Sequence, residues 1–470
     1  MANTLNSTQA RSSLMGTERI GKLLVQFAVP AILMNIVSSA YNMVDKIFVG
    51  NMVGDLGITA TTVAHPAMRL ITAFAILVGA GGNALLALRL GEGRHKEAER
   101  IVNNTFALIA LLSLSLTVLG EIFIYPLLNV LGCSPEAIPH ALPYLRIVLL
   151  GGFFEAITSG LGMFIRTDGK PKYMMVCTVS GCLINIVLDP LLIGVAGWGI
   201  AGAAVATVFA QVISAGLILY YFTLSSKSTL KLRLSLMRPS WDLTRRSTAL
   251  GASNFISSLS GAITQTVMLA SLGIYAVTAL EGDLYIAAIG VTTSVGMIFL
   301  MPAIGMQQAL QPILGYNYGA KNYDRVLKTV KYGLVSIMTV STIGWLIILL
   351  WAEPLCSIFG ANPQYIHIYA RTMRLYNILL PFFALSAVAS NLAQAIGKPK
   401  PAILLSLTRQ VFALLPSILL LPLFLGLEGI LWSMAVTDFV SAALGVAILI
   451  RETLIIRQLL REIPAEESST

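Results

Sequence analysis

Charge is what this chain has least of. Asp, Glu, Lys and Arg make up 11% of its 470 residues, where a soluble domain carries about 25%, so water is not its main solvent. Cysteine and histidine are scarce too, with four of each. Cys133, Cys177, Cys182 and Cys356 show no CxxC spacing, which argues against a disulfide framework or a zinc site. No GxxxxGK[ST] loop, HExxH or GxSxG is present, so nucleotide hydrolysis by a phosphate loop and the commoner hydrolytic chemistries have no motif to rest on. No cofactor is implied, and energy for any work must come from an ion gradient or a partner. The first 20 residues are polar and lack a signal peptide's short apolar core and small-residue cleavage site; they read as a retained cytoplasmic tail.

What is abundant is apolar sequence. The hydrophobic fraction is 56% and the mean hydropathy is +0.80. Runs of about 20 apolar residues, each long enough to cross a hydrocarbon core, recur from Leu24 to Ile450. Cutting at loop signals predicts about twelve spans, beginning near residues 24, 57, 101, 139, 173, 199, 247, 284, 330, 367, 401 and 429. The expected fold is an all-α integral membrane protein.

The basic residues fall in alternate loops. One set holds Arg89, Arg94, Lys96 and Arg100, then Arg166, Lys170 and Lys172, then Lys227 to Arg246, Lys321 to Lys331, Lys398 with Lys400, and Arg451, Arg457 and Arg461. The other set, around Leu131–His140, Val195–Gly199, Leu280–Asp283, Pro354–Pro363 and Leu425–Gly429, has neither Lys nor Arg. This is the positive-inside pattern, and it predicts a multi-pass protein of the cytoplasmic (inner) membrane with both termini cytoplasmic. It also accounts for the net charge of +9 without a nucleic-acid partner.

Shifting the sequence by 228 residues pairs Gly132 with Gly360, Pro135 with Pro363, Arg146 with Arg374 and Phe154 with Phe382. It also pairs Gly169-Lys170-Pro171-Lys172 with Gly397-Lys398-Pro399-Lys400. An even number of spans per half makes the repeat parallel, about an axis along the membrane normal. The expected organisation is a tail (1–20), an N-lobe of six helices (21–224), a basic linker (225–246), a C-lobe of six helices (247–451) and a second tail (452–470).

Ionisable groups inside a membrane cost roughly 2.5 to 3.5 kcal/mol each on insertion scales, so their positions nominate sites. The mid-span acids are Asp45, Glu155, Asp189 and Asp438. Asn185 and Asp189 share one helix face, and Pro190 follows at once, removing a backbone donor and favouring a kink. Asp45, Asp189 and Thr207 fall at similar depth in the outer halves of three spans. Such a cluster can hold a proton between the acids or give Na⁺ its oxygen ligands. Glu155 and Asp438 are open between structural and functional roles, Arg409 reads as a packing or snorkelling residue, and His65 beside Pro66 reads as a packing residue. Of the methionines, Met15 falls in the tail, and Met297, Met301 and Met306 fit either packing or an adaptable drug pocket.

Several segments together resemble the multidrug and toxic compound extrusion (MATE) family, in its DinF-like and MepA-like branch, over about residues 16 to 455. They are Pro30, Tyr41-Asn42-Met43-Val44-Asp45, Phe48-Val49-Gly50, Asn185 to Pro190, Gln308 to Ile313, Gly315 to Ala320 and the paired Gly-Lys-Pro-Lys turns. The resemblance implies two six-helix lobes and export of organic cations, drugs and other amphiphiles in exchange for H⁺ or Na⁺. It implies coupling at Asp45, Asn185, Asp189 and Thr207. Bending is expected at Pro30 and Pro190, and a substrate cleft is expected to draw on Tyr41, Glu155, Gln265, Met297, Gln308 and Asn377. Another branch of the family carries carboxylates in helices seven and ten, where this chain has Gln265, Asn377, Asn391 and Gln394. The expected partners are small amphiphilic or cationic molecules and the bilayer, with the chain acting as a monomer. The alternatives are a lipid-linked precursor flippase of the same superfamily, whose cleft would need several inward Arg or Lys residues, and a polytopic membrane enzyme, which would need a catalytic constellation.

Overall fold

Hydrocarbon offers backbone N–H and C=O groups no partner, so each apolar span must satisfy its own, and an α-helix does so within one segment. The computed structural model describes residues 14–131, 133, 138–226, 228–276, 278–358 and 363–462. Twelve of its helices are long and apolar enough to cross a membrane. They are α1 (Ile20–Met52), α2 (Asp55–Gly91), α3 (His95–Ile122), α4 (Ile138–Thr167), α5 (Pro171–Val195) and α6 (Gly199–Thr223). The second six are α7 (Trp241–Tyr275), α8 (Ala279–Gly319), α9 (Tyr323–Ile358), α10 (Ile366–Ala395), α11 (Pro399–Leu425) and α12 (Leu427–Glu462). Apolar residues such as Leu111, Leu114, Val118 and Ile122 on α3 are exposed, as lipid-facing positions must be.

Helices α3, α7 and α9 begin six or seven residues before the expected span starts, because polar, charged turns such as Trp241–Arg246 are already helical. The linker therefore ends at Ser240. Two expected loops are also helix: Leu280–Asp283 belongs to α8, and Pro354 lies within α9, which kinks at Trp351. Residues 1–13, 132, 134–137, 227, 359–362 and 463–470, which carried part of the tail, loop and repeat reading, lie outside the described residues. Met15 sits in a short helix, Leu14–Thr17, and is 1% exposed, so that part of the tail is packed.

The chain divides into two compact units. Among the described residues, the first holds Leu33–Phe255 with 14–17; the second holds 256–462 with Glu18–Ile32. The division falls inside α1 and α7 instead of at the linker. The repeat is visible in local geometry, since Gly169 (φ 77°) and Gly397 (φ 76°) both adopt the left-handed turn that only glycine enters without strain.

In the first unit, α2 and the start of α7 touch backbone to backbone: a methyl on Gly81 would overlap the Ser247 carbonyl oxygen, and one on Gly251 would overlap that of Leu77. The linker is fastened to the same unit by buried polar side chains. Asp168 accepts hydrogen bonds from Tyr221 Oη (2.7 Å), Thr229 N (3.1 Å), Ser228 Oγ (3.3 Å) and Thr229 Oγ1. Asn103 receives Arg233 N (2.8 Å) and donates to the Lys231 carbonyl, while Asn104 receives Ser240 N (2.7 Å). Burial pushes the Asp168 carboxyl above its ordinary range, with the four donors opposing that shift.

Two outcomes follow. Gly81→Ala and Gly251→Ala are each expected to destabilise the detergent-purified protein by about 1–3 kcal/mol or more through overpacking, whereas Gly216→Ala, with open space around it, leaves the unfolding temperature unchanged or raised. Asp168 binds its proton more tightly folded than unfolded, so its contribution to stability is full below its unfolded pKa of about 3.9 and declines as pH rises through the folded value. Thermal unfolding followed against pH should show that decline, and Asp168→Asn should remove it.

Candidate functional site

The helices of the first unit enclose a cavity of about 230 Å³. Its lining follows helical periodicity, each helix contributing residues three or four apart on one face. Ser38, Tyr41 and Asn42 come from α1, Glu155 and Thr158 from α4, Thr178, Gly181, Cys182 and Asn185 from α5, and Thr207, Ala210, Gln211 and Ser214 from α6. Glu155 is the one charged side chain in that lining, and it hydrogen-bonds Gln211.

Beside this wall, one turn along α5 from Asn185, lies a carboxyl pair. Asn185 Nδ2 donates to Asp189 Oδ1 at 3.3 Å, both residues are fully buried, and the Asp189 carboxyl group lies against that of Asp45. Asn185 thus touches the cavity with one side and the acids with the other. Asn185 Oδ1, Asp189 Oδ2 and Gln211 Oε1 are buried acceptors with no hydrogen-bond donor among the described residues. Buried polar atoms left this way are rare because each forfeits its hydration. Two carboxyl groups in contact, with unpaired acceptor oxygens on the neighbouring Asn185 and on Asp189 itself, are chemically able to take up a proton or a hard cation.

Local helix geometry widens around these acids. The run Ile157–Leu161, two residues after Glu155, is π-helical, and so is Pro190–Val195, directly after Asp189. Pro190 cannot donate to the carbonyl four residues back, and the wider turn accommodates that missing bond. Pro30 lies inside α1, which continues through it.

The structure therefore brings Asp45, Asn185 and Asp189 together, and places Thr207, Tyr41 and Glu155 on the neighbouring cavity wall. Gln265, Met297, Gln308 and Asn377 belong to the second unit and do not line this cavity; Met297 is 52% exposed, and Asn377 donates to the Met373 carbonyl at 3.0 Å. Sequence reasoning missed Ser38, Thr158, Thr178, Gln211 and Ser214. The signal was present as polar stripes at helical spacing, Thr178-Cys182-Asn185-Asp189 on α5 and Thr207-Gln211-Ser214 on α6, of which the sequence reading took only the members tied to an acid or to the family resemblance.

Comparison with known proteins agrees with this architecture. The chain matches the MatE family twice, over residues 30–191 and 257–419, once in each half of the repeat. It is 23% identical to the multidrug export protein MepA of Staphylococcus haemolyticus, over 91% of this chain and 93% of the relative. It is 24% identical to an FAD transporter of Shewanella oneidensis, over 89% of this chain and 92% of the relative. A solved structure of a MATE protein in the bent conformation superposes with a TM-score of 0.88 at 22% identity, covering 95% of this chain and 98% of that one. With both halves of the chain matched by one family and relatives aligned over nearly their whole lengths, this multi-pass membrane protein belongs to the MatE family of multidrug efflux transporters and is not an enzyme.

Proposed function

We propose that the protein is a cation-coupled antiporter of the cytoplasmic membrane, both termini cytoplasmic, which exports organic cations and other amphiphiles in exchange for H⁺ or Na⁺. The observation that carries this reading is the Asp45–Asp189 carboxyl pair joined through Asn185 to a cavity whose one charged lining group is the acid Glu155. Two carboxyl groups in contact repel when both are ionised, so the pair takes up one proton, or a Na⁺ held by Asp45, Asn185, Asp189 and Thr207. Either ion cancels the negative potential that attracts a cationic substrate in the cavity. Loading the ion therefore weakens substrate binding, and by linkage a bound substrate weakens the ion. Bending at Pro30 and Pro190 is the element this competition biases.

The ion's fall through 100 mV supplies about 2.3 kcal/mol per charge apart from any concentration gradient, enough for modest uphill export. Hydroxyls, amides and one carboxylate around a small volume impose charge more than shape, which suits a broad range of cations. A lipid-linked pyrophosphate is a poor fit, because no Lys or Arg among the described residues lines the cavity.

Efflux-deficient cells expressing the intact protein should export a fluorescent organic cation uphill, and Asp189→Asn should abolish that accumulation gradient while leaving membrane insertion intact. Dependence of the wild-type rate on external Na⁺ at constant pH identifies the ion. Absence of export across a broad cation panel by correctly inserted protein would sink the reading. Glu155→Gln should raise KM for monovalent cations about tenfold, the loss of one partly buried charge contact, with little change for neutral amphiphiles.

A further inference from the structure

The repeat offers an internal comparison that the export mechanism does not use. At the offset of 228, Glu155, Gly181 and Ala210, all lining the first unit's cavity, correspond to Phe383, Arg409 and Asp438. In the second unit Arg409 touches both of the others. Arg409 Nη2 lies 3.2 Å from Asp438 Oδ1, and the guanidinium sits 4.9 Å from the centre of the Phe383 ring. In the first unit the equivalent helices meet closely, since a methyl on Gly181 would come within 3.0 Å of the Ala210 carbonyl oxygen. One fold position thus holds an acidic cavity in one half and an ion pair stacked on an aromatic ring in the other.

Arg409 is ten residues into α11, about 15 Å along its axis. At that depth it pairs internally instead of snorkelling. A buried ion pair is a poor device for stability, because desolvation offsets most of the attraction. The guanidinium is also under-used: of its five donors, the bond to Asp438 is the one it makes among the described residues. Its side chain is 24% exposed, against 7% for Asp438. The π-helical run Thr408–Leu414 begins one residue before it and gives that turn extra width. Tyr376 on α10 is within electrostatic reach of both charges.

We propose that the second unit carries a binding subsite for the carboxylate of an organic acid, with Arg409 as the recognising group, Phe383 as the apolar platform and Asp438 as the internal counter-ion that occupies the place in its absence. The single-point contact to Asp438 at 3.2 Å satisfies only part of the planar fork, so a bidentate carboxylate, its preferred partner, can take that place from Asp438. The subsite extends the export reading to amphiphiles bearing an acid group, and its biological use rests on that reading.

Equilibrium binding to the purified full-length protein tests it without any gradient, so a negative result here leaves the export result with Asp189→Asn untouched. The probes are 4-phenylbutyrate and its uncharged analogue 4-phenylbutyramide, read by thermal shift and by competition binding in detergent. The acid should stabilise the wild-type protein and the amide should not. Arg409→Gln should erase the difference between them, and Asp438→Asn, which frees the guanidinium, should bind the acid about tenfold more tightly. Equal effects of acid and amide on the wild type overturn the proposal. If Arg409→Gln fails to fold, Asp438→Asn decides: unchanged or weaker binding of the acid to that variant shows that the pair is only a helix tie.

Discussion

A carboxyl group removed from water must find a proton, a cation or strong donors, and inside a bilayer very few of these are at hand. Most of what is particular about this molecule follows from that constraint. The twelve helices could satisfy their backbones with apolar side chains alone, yet the first unit places Asp45 and Asp189 against each other and leaves acceptor oxygens of Asn185, Asp189 and Gln211 without donors. Such an arrangement is incomplete by itself. In the exchange we propose, it is completed by a small positive ion or relieved by a larger cation in the adjoining cavity, and competition between these two solutions couples their movements.

The two halves show how one backbone plan answers the same constraint differently. Where the first half leaves Gly181 and Ala210 small and opens a cavity beside Glu155, the second fills the equivalent positions with Arg409, Asp438 and Phe383 and neutralises its own charge. Lys398 and the buried Glu452, joined at 2.6 Å, repeat that strategy where the second Gly-Lys-Pro-Lys turn meets α12. In the first half the turn's neighbour is Asp168, which gathers the linker through four hydrogen bonds, and the residue at the equivalent place in the second half is Ile396. Duplication supplied the frame, and the polar substitutions made each half distinct.

Much of this was legible in the sequence for a physical reason. Membrane spans announce themselves by length and hydropathy, and the shared Gly-Lys-Pro-Lys turns mark the repeat because a left-handed turn tolerates little but glycine. Acids stand out against apolar sequence, which marks Asp45 and Asp189; Asn185 follows from its place one helical turn before Asp189, and Thr207 from its depth and the family resemblance. Uncharged polar residues do not stand out, so Thr178, Gln211 and Ser214 emerged only when the helices were placed side by side. The charged first turns of α3, α7 and α9 carry no hydropathy signal to distinguish them from loop. The ion pair of Arg409 and Asp438 joins residues 29 apart, and no local pattern links them.

Counting the ions exchanged when a cation binds addresses the central claim most directly. Titrating an organic cation into the purified protein in buffers of different protonation enthalpy, with and without Na⁺, measures the protons and sodium ions released on binding. The competition described above requires release of about one proton or one Na⁺ per cation bound, with affinity falling as that ion is raised. A cation that binds with unchanged affinity at saturating H⁺ and Na⁺, releasing neither, would contradict it.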